Sequence, residues 1–205
     1  MTKFPGIIPV FPLSGVIFFP KTNLPLNIFE ERYLDLVNDA YKNNKLIGMI
    51  QSKKDKREVY EIGCLGKIID FKKSKDRRVL INLTGITRFE VVKEEENSKL
   101  YREFKVDYKR FSLDLKPTLE EISTESLMKK TEFFFKKSGF LLNWNEFEKL
   151  DKVQKINTLA MIAPVTNEEK QKLLESISLK EKARTLEDII NFYLHEADFN
   201  NQTIQ

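Results

Sequence analysis

The sequence predicts an α+β fold, a curved β-sheet carrying one packed helix and then a purely helical bundle. Three observations carry this. Between residues 59 and 108 apolar residues recur with period two, and glycines interrupt the runs. Beyond Pro117 the apolar period changes to near 3.6. Four capping-box candidates of the form Ser/Thr/Asn-x-x-Glu, read as helix starts, follow that change. The β-rich part is assigned to residues 1–112 and the helical part to residues 113–205, with Pro117 marking the new pattern.

The chain has 205 residues, 41% of them hydrophobic, enough to bury a substantial core. Its 35 basic and 31 acidic residues leave a charge of +4, a small difference between large numbers that selects no nucleic-acid or membrane partner. One cysteine, Cys64, excludes an internal disulfide and a cysteine-based metal site, and fits a reducing cytoplasmic compartment. No run approaches the ~20 apolar residues of a spanning helix, and prolines break the opening where a leader would be continuous. Secretion and membrane spanning are therefore not expected.

Residues 8–33 organise the rest. Pro9, Pro12, Pro20 and Pro25 punctuate an apolar stretch, which predicts short bent strands with each proline at an edge, bulge or strand end. Ser14-Gly15 supplies a turn before a second apolar run, residues 16–19. Asn27 and Glu30 are spaced as a capping box, so a helix is expected over residues 30–43, with Tyr33, Leu34, Val37, Ala40 and Tyr41 on its apolar stripe. Residues 46–50 read as a strand buried on both faces, and 52–58 as a charged loop. Residues 59–71 form a strand in which Gly63 and Gly66 invite bulges and curvature. A polar tip at 72–77 leads to a partner strand at 78–85, and residues 87–92 and 101–108 flank a turn at 94–97 as a second hairpin.

In the helical part the capping-box pairs are Thr118 with Glu121, Asn143 with Glu146, Thr166 with Glu169 and Ser178 with Glu181. Apolar stripes run through Leu119, Ile122, Met128 and Phe135, then Leu150, Val153, Ile156 and Ala160, then Leu173 and Leu174, then Ala183, Leu186, Ile190 and Tyr193. Gly139 and Pro164 are expected helix stops.

The order Pro-Val-Phe-Pro-Leu, Val-Ile-Phe-Phe-Pro, Leu-Pro-Leu-Asn-Ile-Phe-Glu-Glu-Arg-Tyr resembles the amino-terminal substrate-binding domain of Lon-type ATP-dependent proteases and of free-standing proteins made of that domain. Gly85-Ile86-Thr87-Arg88-Phe89 is similar to the family's Gly-x-x-Arg-Phe strand, and Asn157 to Ala160 with Glu168 to Glu175 resemble its closing helices. Asn27 stands where the family usually has histidine, Glu31 where it usually has proline, and the tip at 72–78 lacks the Pro-Asp-Gly-Arg turn common in relatives. The resemblance implies a PUA-like barrel with a helical subdomain, and a role in binding polypeptide segments or a protein partner in a proteolytic or quality-control setting. It does not imply catalysis. No Gly-x-x-x-x-Gly-Lys-Ser/Thr phosphate loop occurs, and no residues remain for a serine-lysine peptidase module.

Candidate catalytic residues are correspondingly absent, and no metal or cofactor is expected. His195, the single histidine, falls on the polar side of the last helix beside Asp188 and Asn191 and lacks the second histidine of a zinc helix. Cys64 between two glycines reads as a small buried hydrophobe. Glu30 and Arg32, two apart, are expected to project from different sides of the helix and anchor neighbouring segments, with Arg88 a further structural residue of the motif. For binding, consecutive Phe18 and Phe19 should point to opposite faces of a strand, so that one joins the core. The other, near Leu24, either forms an apolar patch for a polypeptide or is covered by the helical part.

The alternative function is RNA binding through basic hairpin tips, with Lys72, Lys73, Arg77 and Arg78 as contacts. Interleaved acids and missing stacking aromatics count against nucleic acid. Phe133-Phe134-Phe135 spans most of a helix circumference and needs cover, either between barrel and bundle or in a homodimer or partner interface.

Overall fold

The computed structural model describes residues 4–53, 58–117 and 123–202, with side chains described as far as residue 195. The chain divides into two compact units, Met1–Lys116 and Pro117–Gln205.

The first unit is a mixed sheet of six strands in the order β2-β5-β4-β3-β1-β6, closed by a further β5–β6 pairing. Its strands are β1 (Ile7–Leu13), β2 (Asn23–Ile28), β3 (Leu46–Ser52), β4 (Val59–Lys73), β5 (Val79–Glu95) and β6 (Arg102–Asp107). β1 and β3 are parallel and every other pair is antiparallel. Five strands thus form a closed barrel, with β2 added outside on the first half of β5. The prolines of β1 fit this path: Pro9 lies in the segment paired with β6 and Pro12 in the segment paired with β3, and Val10 alone faces both.

Every barrel strand contributes to the interior, which holds Ile8, Val10, Leu46, Ile50, Leu65, Phe89, Phe104 and Val106. Phe89 is fully buried against Gly63 of β4, where a Cβ would collide with its ring. β3 is buried along almost its whole length, as its continuous apolar run predicts. β4 carries register shifts beside Gly66 and at 68/70, so the expected curvature is present.

Several local expectations give way to tertiary contacts. Residues 78–92 do not break into two strands, because β5 runs unbroken for 17 residues. Asn27 does not cap a helix. It lies within β2 opposite Leu80, and helix α1 (Glu31–Lys42) begins after an extended Glu30 with no side-chain capping bond. The buried face of α1 is Tyr33, Leu36, Val37 and Ala40, while Tyr41 turns out to stack on Phe71 at 4.2 Å. Residues 16–19 are not a strand. They lead into a turn in which Lys21 has φ 60° and the buried Thr22 hydroxyl donates to the Phe19 carbonyl at 2.7 Å.

A 3-10 segment, Lys109–Leu115, closes the first unit and is held by Arg88. The Arg88 main-chain N–H and Nε both donate to Asp114 Oδ2 at 2.9 Å, and Nη2 donates to Oδ1 at 2.7 Å. The guanidinium lies 4.2 Å from the centre of the buried Phe111 ring. The side chains are only 3% and 10% exposed, so the paired geometry offsets their desolvation.

The second unit contains α2 (Glu125–Lys137), α3 (Trp144–Glu148), α4 (Lys152–Ile162), α5 (Asn167–Glu175) and α6 (Leu179–Gln202). α6 packs against α2, α4 and α5. Thr166 and Glu169 form the full expected capping box, Asn143 caps α3, and Ser178 accepts from the Glu181 N–H. A full box at Asp151 and Gln154 starts α4, a spacing that Asp-x-x-Gln states openly. The Thr118–Glu121 pair, with Leu119 and Ile122, lies outside the described residues. α2 ends at Lys137, just before Gly139 with φ +67°, and α4 ends before Pro164.

The Phe133–Phe135 triplet is only partly covered. Phe134 packs on Tyr193 at 5.6 Å and Phe135 on Phe140 and Trp144 at 5.0 and 6.1 Å, while Phe133 is 57% exposed with Lys137 over its ring. Two of three rings suffice for the bundle core, because α2 buries one face, Leu127, Thr131, Phe134 and Phe135, and the third ring falls beyond it.

Two substitutions test this architecture. Gly85→Ala drives a Cβ into the Phe19 carbonyl and is expected to cost about 3 kcal/mol or more in urea unfolding. Arg88→Ala strands the Asp114 carboxylate and should cost about 3–5 kcal/mol by the same measurement.

Candidate functional site

The apolar patch expected from Phe18, Phe19 and Leu24 is not on the surface. Their exposures are 2%, 0% and 7%. Leu24 points inward in β2. Phe18 lies over Gly66 and near Leu83, and the Phe19 carbonyl abuts Gly85. Strict alternation fails here because residues 16–19 belong to no strand ladder, so two consecutive rings can both turn inward.

The exposed aromatic stands ten residues further on. Along β2, Leu24 and Ile28 are buried and Pro25 and Asn27 exposed; Phe29 is the next outward position and is 67% exposed. It borders a groove of about 440 Å³. One wall is the end of β1, from Phe11 to Ser14. The other comprises Leu26, Asn27 and Ile28 with the start of α1, and Leu100, Tyr101 and Arg102 close the far side. Leu100 is 60% exposed, so two apolar side chains project at the rim.

The groove floor is rigid. Phe11 and Tyr33 stack at 3.9 Å with rings 15° apart, and the Tyr33 hydroxyl donates to the Pro12 carbonyl at 3.3 Å. The Tyr101 hydroxyl donates to Asp39 at 2.9 Å, tying β6 to α1. Burial is the main cause that pushes both phenols above their ordinary value; Arg32 opposes it at Tyr33, and Lys99 opposes it at Tyr101.

The charges along the groove are internally matched. Arg32 donates to Glu30 at 2.8 Å through Nη2 and 3.1 Å through Nε, and its guanidinium covers Tyr33 at 4.5 Å. Glu30 and Arg32 therefore bind each other rather than separate segments, since Glu30 precedes the helix and is extended. Arg102 donates to both oxygens of Glu94, at 2.7 and 2.6 Å, and this pairing lowers the Glu94 pKa. A surface with its own counter-charges and a mixed apolar rim suits a segment of low charge.

The remaining candidates lie elsewhere. Lys72, Lys73, Arg77 and Arg78 are all exposed at the β4–β5 hairpin tip, where Arg78 pairs with Asp76 and Lys73 lies 6.0 Å from the Phe71 ring. The basic residues at 54–57 lie outside the described residues. Cys64 is buried in β4 and His195 is exposed on α6. Among the described residues no cluster of three His, Cys, Asp or Glu side chains could hold a metal, and no helix is long and apolar enough to cross a membrane.

A closed β-barrel with one packed helix and a surface groove, together with a second, helical unit, thus defines the class of protein. The chain belongs to the substrate-binding domain family of the ATP-dependent protease La (LON), whose family model matches residues 7–191. It is 26% identical over 210 residues to the Lon protease of Syntrophus aciditrophicus, covering 94% of this chain and 26% of that protein. It is 28% identical over 197 residues to the Lon protease of Bacillus thuringiensis, covering 90% and 24%. The chain spans about a quarter of the length of the curated Lon proteases it matches.

Two solved structures share the fold. A Lon N-terminal domain protein from Xanthomonas campestris superposes with a TM-score of 0.66 at 21% identity, covering 90% of this chain and 97% of that one. The N-terminal domain of the Mycobacterium avium complex Lon protease gives 0.63 at 15% identity, covering 90% and 98%.

The buried phenols provide a pH test. Tyr33, Tyr101 and Tyr108 all have pKa values raised by burial above the ordinary 10.0. Folding therefore favours their protonated forms, and that contribution is intact below pH 10 and lost as pH rises through the higher folded values. Alkaline difference spectroscopy should show Tyr33, Tyr101 and Tyr108 ionising above the ordinary value, with stability falling as they do.

Proposed function

We propose that this protein is a non-catalytic binding module that holds apolar polypeptide segments in the groove bordered by Phe29 and Leu100. The observation that carries the reading is the pair of exposed apolar side chains beside a rigid aromatic floor whose arginines are already neutralised. The family supports it, because its description is that of a substrate-binding domain in an ATP-dependent protease. The chain matches only about a quarter of those proteases, so neither ATP hydrolysis nor peptide cleavage is carried over to it.

Fluorescence anisotropy with a labelled, permanently unfolded apolar polypeptide tests the proposal. Phe29→Ser and Leu100→Ser should each weaken binding about tenfold, as for central apolar contacts elsewhere. Both side chains are exposed, so thermal stability should barely change. Phe133→Ser, at an exposed ring in the helical unit, serves as the control. Unchanged affinity in both groove variants sinks the proposal.

A further inference from the structure

We propose that the polypeptide binds as an added strand along the free edge of β2, with alternate apolar side chains entering the groove; this rests on the peptide-binding reading above. Among the described residues β2 ends the strand order and has β5 as its one strand partner. The direction of its main-chain groups follows from one contact. The Gly85 N–H donates to the Thr22 carbonyl at 2.9 Å, so Asn23 and Thr84 are a non-hydrogen-bonded pair. By alternation Leu24, Leu26 and Ile28 exchange bonds with β5, while Asn23, Pro25 and Asn27 turn theirs outward. The outward groups are the carbonyls of all three residues and the N–H groups of Asn23 and Asn27, since Pro25 has none.

The opposite wall offers no such ladder. Pro12 lacks an N–H, and its carbonyl already accepts from Tyr33. Strand addition is therefore directed to β2, and Asn27, which lines the groove, supplies the donor nearest to it. The charge pattern selects the occupant. The outward residues of β2 are uncharged, and the groove arginines are each bound to a carboxylate, so the wall complements an extended, uncharged apolar segment and offers a polyanion little.

Asn27→Pro removes that donor from a position whose register Pro25 already occupies in the same strand. Binding of a fluorescein-labelled peptide of alternating valine and threonine should fall about tenfold in Asn27→Pro and stay near wild type in Asn27→Ala, because the main chain does the binding. A folded Asn27→Pro protein that binds like wild type, while Phe29→Ser is weakened, overturns strand addition and leaves the groove reading standing. Absence of binding by wild type overturns both. Should Asn27→Pro melt early, the peptide N-methylated at alternate amides decides with unmodified protein. One of the two methylation registers must lose binding, and retention in both refutes the added strand.

Discussion

The structure depends on β5. Along one side this strand pairs with β4 over most of its length, and along the other it pairs first with β2 and then with β6, which closes the barrel. The change of partner falls around Gly85 to Phe89, where each residue has a distinct task. Gly85 lets the Phe19 carbonyl approach, Arg88 captures Asp114, and Phe89 fills the barrel against Gly63. Among the described strands β2 stands at the end of the sheet order, with β5 along one side of it.

The groove is a consequence of that closure. Curvature in β4 and β5 brings the outer strand β2 and the start of α1 round to the ends of β1 and β6, where the sheet no longer pairs continuously. Aromatic stacking and two hydroxyl contacts make its floor stiff, so little conformational entropy remains to be lost there on binding. Local ion pairs remove the long-range charge that would select an anion or a cation.

Much of the fold was legible because its signals are local. Apolar period distinguished strand from helix, glycines 63 and 66 announced curvature, and cap spacing located the starts of α3, α5 and α6, while the Asp151–Gln154 box of α4 was not among the expected starts. Two departures from these local signals share one cause. Asn27 has good capping chemistry, yet pairing with Leu80 takes it into β2. Phe18 and Phe19 satisfy a period-two argument, yet their segment joins no ladder. In each case a contact with a distant strand overrode a correct local preference.

The sequence by itself determined the α+β class, the passage from a β-rich to a helical part, the family resemblance and the absence of a phosphate loop in these 205 residues. Each of these is written in composition, spacing or contiguous motif. Tertiary structure alone decided which aromatic faces solvent and where a ligand can lie. Phe29 sits inside the motif that best marks the family, but its exposure depends on how β2 meets α1, and the groove it borders draws on residues 11–14, 52 and 100–102 as well. Such a surface is assembled from segments far apart in the chain, so no local period can encode it.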